Sequence, residues 1–370
     1  MGQVWSKEKA WDWYNARTWM RGCNFMGSDC ANRIDQWQSL GFEERLATAD
    51  RELRLAAETG FNSIRILLEF IVWDQEHDGF MERLDRYLST AWKYGISAMI
   101  VLGNDCMPPK NEFWKPQQLG PQHYDWGYHG GRKFSQHQQF DAVGYHIMDE
   151  PEIFARHERW IREIMETYRD DPRVCVWDLY NEAGAANRDE ITLPHVKRIF
   201  DIAREVNPSQ PITSCLWKHI GREPMELTEV EQFIAENSDL ISYHSYASYD
   251  TNIRIIKQLK EYGRPILNTE WLARMTHNTV EQMFPLFYLE KIGCWNWGFV
   301  AGLYQTYEPW NGVWQQYEQG KAKDVDFKVW FHDLYRPSLH PYDPHEIELI
   351  QKYCRLADGD FEREQRAKSM

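Results

Sequence analysis

Two short stretches of the chain carry acids where a buried strand would be expected to end. "VCVWDLYNE" (174–182) is an apolar run that closes on Asn181 and Glu182, and "PILNTEW" (265–271) closes on Glu270. One acid in such a place is most often a helix-cap neighbour or a salt-bridge partner. Two, with an amide before one of them and Arg65 near the end of a third strand-like run, point to chemistry. Two carboxyl groups held close together cannot both ionise easily, so one keeps its proton while the other stays charged. Such a pair offers a general acid and a nucleophile or base. Glu182 and Glu270 are therefore the candidate catalytic residues, provided the fold brings them together.

The surrounding elements suggest how that happens. Strand-like runs lie at 19–25, 61–68, 96–103, 174–182, 211–217, 239–246, 265–271 and 293–299. Helical patterns fall near 43–59, 152–168, 192–206, 226–236, 251–262, 278–290 and 344–356. Another places Phe80, Leu84, Tyr87, Leu88, Ala91 and Trp92 on one buried face. This alternation, with no break in composition, predicts an α/β fold: a (β/α)8 TIM barrel in a single catalytic domain, 1–370. The last helix would be followed by a short, frayed charged tail, "DGDFEREQRAKSM". A doubly wound sheet is the alternative, but "RGCNFMGS" after the first strand is not the glycine-rich phosphate loop it would carry. Two connections are long, 104–149 after strand three and 300–330 after strand eight, and both are dense in aromatic residues. In a TIM barrel the site lies at the C-terminal ends of the strands. Those ends gather Arg65, Asn104, Asp105, Asn181, Glu182, His244, Tyr246, Glu270 and either Trp295 or Trp297.

"WDLYNE" together with "PILNTEW" resembles the clan of retaining β-glycoside hydrolases built on this barrel, which includes families 1, 2, 5, 10 and 39. "RGCNF", "WGFVAG" and "WFHDLYRP" look closest to cellulase- and xylanase-like proteins related to family 5. The resemblance runs through nearly the whole chain in strand order. It implies hydrolysis by double displacement, with Glu182 as acid/base and Glu270 as nucleophile about 5–5.5 Å apart. Arg65 beside Glu270 would lower the pKa of that carboxyl. Asn181 would meet the sugar 2-hydroxyl, His244 another hydroxyl, and Tyr246 would orient Glu270. Tyr243, one residue away, would face the other side of its strand. Trp297 would be the stacking platform under the sugar. Asn104 and Asp105 would bind hydroxyls or bond to neighbouring loops. The implied partner is a carbohydrate, a β-linked oligosaccharide or glycoside. The two long loops favour a closed pocket and exo action or short substrates. Two alternatives share the fold: a glycan-binding barrel without turnover, and a transglycosylase using the same two glutamates.

Composition narrows the rest. The 370 residues are 43% hydrophobic, enough for a large core, and the 18 tryptophans serve either that core or a stacking surface. A formal charge of -14 argues against nucleic acid as a partner. No run approaches the roughly 20 apolar residues of a membrane span, and the start has no leader-like apolar stretch. Seven cysteines occur without CxxC pairs, and Cys23, Cys175, Cys215 and Cys294 sit in or beside strand-like runs as small buried hydrophobes. That usage suits a reducing cytoplasm. No metal or cofactor is expected: the first strand lacks His-x-His, and His123, His129 and His137 are irregularly spaced. There is no GxSxG elbow for a serine nucleophile.

Overall fold

In the computed structural model, which describes residues 2–110, 116–125, 129–131, 142–323 and 325–369, each strand-like run becomes a parallel strand of one sheet. These are β1 (Arg21–Asn24), β2 (Ser63–Leu67), β3 (Ser97–Asn104) and β4 (Val174–Asn181), then β7 (Ile241–His244), β8 (Ile266–Trp271) and β9 (Gly293–Asn296). The run expected over 211–217 is split into β5 (Ile212–Thr213) and β6 (Cys215–Leu216). Neighbours follow the order β5-β4-β3-β2-β1-β9-β8-β7-β6. The ring is completed across Ser214, whose hydroxyl donates to the carbonyl of Tyr180 at 2.6 Å. β1 lies between β2 and β9, which makes this a barrel and not a doubly wound sheet.

Alternation along the strands divides two packing layers. Ile64, Ile66, Ala98, Ile100, Leu102, Trp177 and Leu179 pack outward in the larger core with the helices. Met99, Val176, Leu267 and Trp295 point inward and fill the lower barrel. Arg65 and Asp178 share the inward parity, so a charged layer sits on top of an apolar one. The floor is plugged by α1 (Lys7–Asn15), an element missing from the sequence reading because its charges and tryptophans blur the helical period. Ala10 and Tyr14 of α1, with Trp5 just before it, join the inner cluster, and the Trp5 amide donates to Asp239 Oδ1 at 2.8 Å.

Two expectations about helices are corrected. The helix over His77–Trp92 buries Phe80, Leu84, Tyr87, Leu88 and Ala91, but Trp92 at its end is 45% exposed. The last helix, Pro344–Lys368, continues through the tail expected to fray. Its charges have partners on the barrel: Asp358 pairs with Arg21 at 2.7 Å, and Asp360 accepts from Tyr288. Part of the tryptophan surplus is core, since Trp37, Trp160, Trp177, Trp271 and Trp295 are fully buried. No helix among the described residues is long and apolar enough to cross a membrane.

Candidate active site

Strand β4 ends at Asn181, and Glu182 turns into the left-handed region at φ 46°. A side chain there costs on the order of 1–2 kcal/mol, and such strain gathers at functional sites. The strain is held from both sides. The Glu182 amide donates to Cys215 Sγ at 3.2 Å, and the next turn is tied to Asp105. Asp105 accepts from the Tyr180 hydroxyl at 2.8 Å and the Gly184 amide at 2.7 Å. It also accepts from Thr192 Oγ1 and pairs with Arg188 at 3.1 Å. With 0% exposure, it braces the loop after β4 and does not reach the sugar subsite that was one of its expected roles. Asn104 does line the cavity, where its Oδ1 accepts from Asn181 Nδ2 at 2.9 Å.

Arg65 organises the charged layer. Fully buried, it donates to Asp178 at 2.9 Å, to Asn24 Oδ1 and Glu270 Oε1 at 2.8 Å each, and to Asn181 Oδ1 at 2.6 Å. An arginine used this way orients Glu270 and Asn181 and is itself shielded from substrate. The other Glu270 oxygen accepts from the Tyr246 hydroxyl at 2.7 Å. His244 lies between the two acids, its Nδ1 2.8 Å from Glu182 Oε1 and 3.4 Å from Glu270 Oε2. It is 4% exposed, so it bridges the acids where a sugar contact had been expected. Donor atoms of Glu182, His244 and Glu270 all lie within 4.8 Å of one another, and no other such convergence of possible metal ligands occurs among the described residues. Arg65 donates into that cluster, so a cation there would have to compete with a guanidinium. His137 lies outside the described residues.

Burial pushes both catalytic candidates above the usual carboxylate range. For Glu182 the Cys106 thiol and then Arg65 oppose the rise. For Glu270, His244, Arg65 and the Tyr246 hydroxyl oppose it, while the charge of Glu182 adds to it. Arg65 was expected to leave Glu270 below its ordinary value; desolvation outweighs it and the net direction is upward. His244 is pushed down to about 4, chiefly by burial, so the imidazole is neutral at pH 7.

The acids open onto a cavity of about 360 Å³, within the range of small-ligand sites. Trp297 is on its wall, beyond the end of β9, with its amide bonded to the Trp271 carbonyl at 2.9 Å. Trp295 is at 0% exposure in the inner core, and Tyr243 packs outward, which decides both pairs of alternatives. The two long loops supply much of the remaining wall, beside Arg33 and Leu67, and hold each other. The His129 ring packs at a tilt against Tyr304 at 4.3 Å and against Trp297 at 5.3 Å. The Gly131 amide donates to Pro309 O at 2.9 Å, and Gln305 Nε2 donates to Gly130 O at 2.7 Å.

Sequence reasoning missed four contributors. Asp178 and Asn24 complete the Arg65 network, and their only signal was a polar residue inside an apolar strand. Trp310, which packs on Tyr246 at 4.9 Å, and Cys106, at the cavity edge, come from loops where no periodicity announces direction.

Comparison with known proteins places this geometry. The family described as glycosyl hydrolases family 2, TIM barrel domain, matches residues 130–324. A β-glucuronidase of Paenibacillus borealis is 26% identical over 157 residues, covering 38% of this chain and 24% of that protein. The match thus spans about a quarter of that relative's length. Among solved structures, GH5_18 from Streptomyces cattleya, in complex with GlcNAc, superposes with a TM-score of 0.57 at 13% identity, covering 92% of this chain and 81% of the other. A glycoside hydrolase family 5 mannosidase from Rhizomucor miehei gives 0.54 at 16%, covering 94% of each chain. At these identities the structural likeness speaks for the barrel.

Proposed function

The chain belongs to the glycosyl hydrolases family 2 TIM-barrel family, and from that premise we propose that it is a glycoside hydrolase that cleaves β-linked glycosides with retention. The observation that carries the reading is the carboxyl pair itself: oxygens of Glu182 and Glu270 within 4.8 Å, His244 between them. Double displacement uses carboxyl groups about 5–5.5 Å apart, whereas inversion needs about 6.5–9.5 Å to admit a water. Arg65 donates directly to Glu270 and favours its ionised form, the form that attacks the anomeric carbon. Glu182 meets the neutral His244 and the Cys106 thiol and is the better place for the proton. In this reading Glu182 protonates the leaving oxygen, Glu270 forms the glycosyl-enzyme, and Glu182 then takes a proton from the water that releases the sugar. Trp297 and Trp310 offer ring faces for the apolar side of the sugar. The hydrogen bonds that join the two mouth loops support a pocket closed at one end, hence exo action or short oligosaccharides as substrates.

The test is a panel of aryl β-glycosides with wild type, Glu270→Ala and Glu182→Ala, each with and without azide. We expect one or a few sugars to be cleaved, Glu270→Ala to be inactive, and azide to revive Glu182→Ala with a β-glycosyl azide as product. Turnover by both alanine variants would remove the assignment. Binding of a glycan without turnover by wild type would favour the non-catalytic barrel, and transfer to an added sugar acceptor in place of water would favour the transglycosylase.

A further inference from the structure

Cys106 stands two residues beyond β3, exposed at the cavity edge, and its Sγ lies 3.0 Å from Glu182 Oε2. It is the sole hydrogen-bond partner of that oxygen among the described residues, while Oε1 belongs to His244. The thiol is placed firmly. Its backbone amide donates to Asn104 Oδ1 at 3.1 Å. The preceding residue, Asp105, is locked by Tyr180, Gly184, Thr192 and Arg188, and Asn181 Nδ2 touches Sγ at 3.7 Å. Neighbouring loops therefore fix the sulfur and the carboxylate relative to one another independently of any sugar.

We propose that Cys106 is a positioning residue for Glu182: its S–H donates to Oε2, holds the carboxyl group in the plane set by His244, and stabilises the ionised form. This rests on the acid/base role proposed above, and it gives the thiol a task in the second half-reaction, when Glu182 must act as a base. The groups that face Glu182 are Cys106 from the loop after β3, His244 from β7, Tyr246 just beyond β7, Glu270 from β8 and Arg65 from β2. Cys215 of β6 faces its backbone. Asp178 acts at one remove, through Arg65. Truncating Cys106 leaves all the others in place. Although the residue is exposed at the cavity edge, its sulfur is desolvated where it meets Glu182 and Asn181, and this, then the charge of Glu182, pushes the thiol well above its ordinary value, so at neutral pH it remains a donor and is a poor nucleophile.

The experiment follows the Glu182 carboxyl by its 13C shift in glutamate-labelled protein as pH is varied, with the signal assigned by its loss in Glu182→Gln. Wild type is compared with Cys106→Ala and Cys106→Ser. Loss of a donor to the ionised form should raise the Glu182 midpoint in Cys106→Ala by roughly 0.5–1 pH unit, the size expected of one weak charge-assisted hydrogen bond. Cys106→Ser should return it to the wild-type value or below. The basic limb of kcat/KM on any aryl β-glycoside that is cleaved should move in the same directions. An unchanged midpoint in Cys106→Ala overturns the inference, whatever happens to kcat. Azide rescue of Glu182→Ala judges the acid/base reading separately: rescue with no shift in Cys106→Ala sinks the thiol's role alone, and failed rescue sinks the reading beneath it.

Discussion

Tyr246 is the clearest single-residue test of how the nucleophile candidate is held. Its hydroxyl bonds Glu270 Oε2 at 2.7 Å, while its ring is independently packed on Trp310 and His332 at 4.9 and 5.4 Å. Tyr246→Phe should therefore fold normally and lose about ten- to a hundredfold in kcat/KM, the worth of one hydrogen bond to a charged group at about 1.5–3 kcal/mol. Arg65 is a different case. Removing its charge in Arg65→Met leaves Asp178 and Glu270 buried without their cation (side-chain exposures 0% and 7%). Loss of one partner from such a pair costs about 3–5 kcal/mol. Urea denaturation should show that loss of stability along with lost turnover, and an Arg65→Met protein as stable as wild type would mean the network is not a structural brace. The Arg65–Glu270 pairing was legible in the sequence because each is a charged residue interrupting an apolar strand of the same barrel, Arg65 within β2 and Glu270 near the end of β8. Asp178 was not, because an acid in the middle of an apolar strand gives no hint of which cation it meets.

Between elements, the site depends on connections more than on strands. The cavity wall is made where Gly130 and Gly131 of the first long loop meet Gln305 and Pro309 of the second. A Cβ on Gly130 would lie 2.2 Å from the Glu308 carbonyl oxygen, so Gly130→Ala must push the loops apart. We expect its KM to rise several-fold with little change in Tm, and activity on longer oligosaccharides to increase relative to aryl glycosides. The same profile as wild type across chain lengths would show that the loop joint does not define the pocket. The length and aromatic content of both loops marked them as functional from sequence. That they grip each other could only emerge once β3 and β9 were placed around one ring.

For the whole molecule, burial of ionisable groups sets how stability follows pH. His157 and His332 are pushed down to about 3 and His244 to about 4, each chiefly by burial. Their contribution is complete above the unfolded value near 6.5 and is lost as pH falls toward 3–4. Glu52 is raised to about 7, and Asp105 and Asp333 to about 6, again chiefly by burial. These work the other way: their contribution is present at low pH and lost as pH rises through 6–7. Opposed terms flatten the wild-type curve, so the readout is a difference. His157 packs between Phe70 and Trp160 at 5.1 and 4.8 Å, and its Nδ1 has no partner. The stability of His157→Phe relative to wild type should therefore improve by about 1.4 kcal/mol per pH unit between pH 6 and 4.5. A difference that stays constant across that range would mean this imidazole is not held neutral by the fold.

Sequence alone determined the barrel, because eight apolar runs separated by amphipathic helices have few other ways to bury both faces of a parallel sheet. It also determined which residues stand at the strand ends, since that is a matter of order along the chain. Tertiary structure decided what each of them does there. Asp105 became a brace and Asn104 a wall by one step of the backbone. His244 was drawn between two acids, and Trp297 took the cavity while Trp295 took the core. Cys106 arrived beside Glu182 from another loop. The physical reason is that hydrophobic periodicity encodes which side of an element is buried, whereas hydrogen-bond partners are fixed by distances across the barrel that no local pattern records.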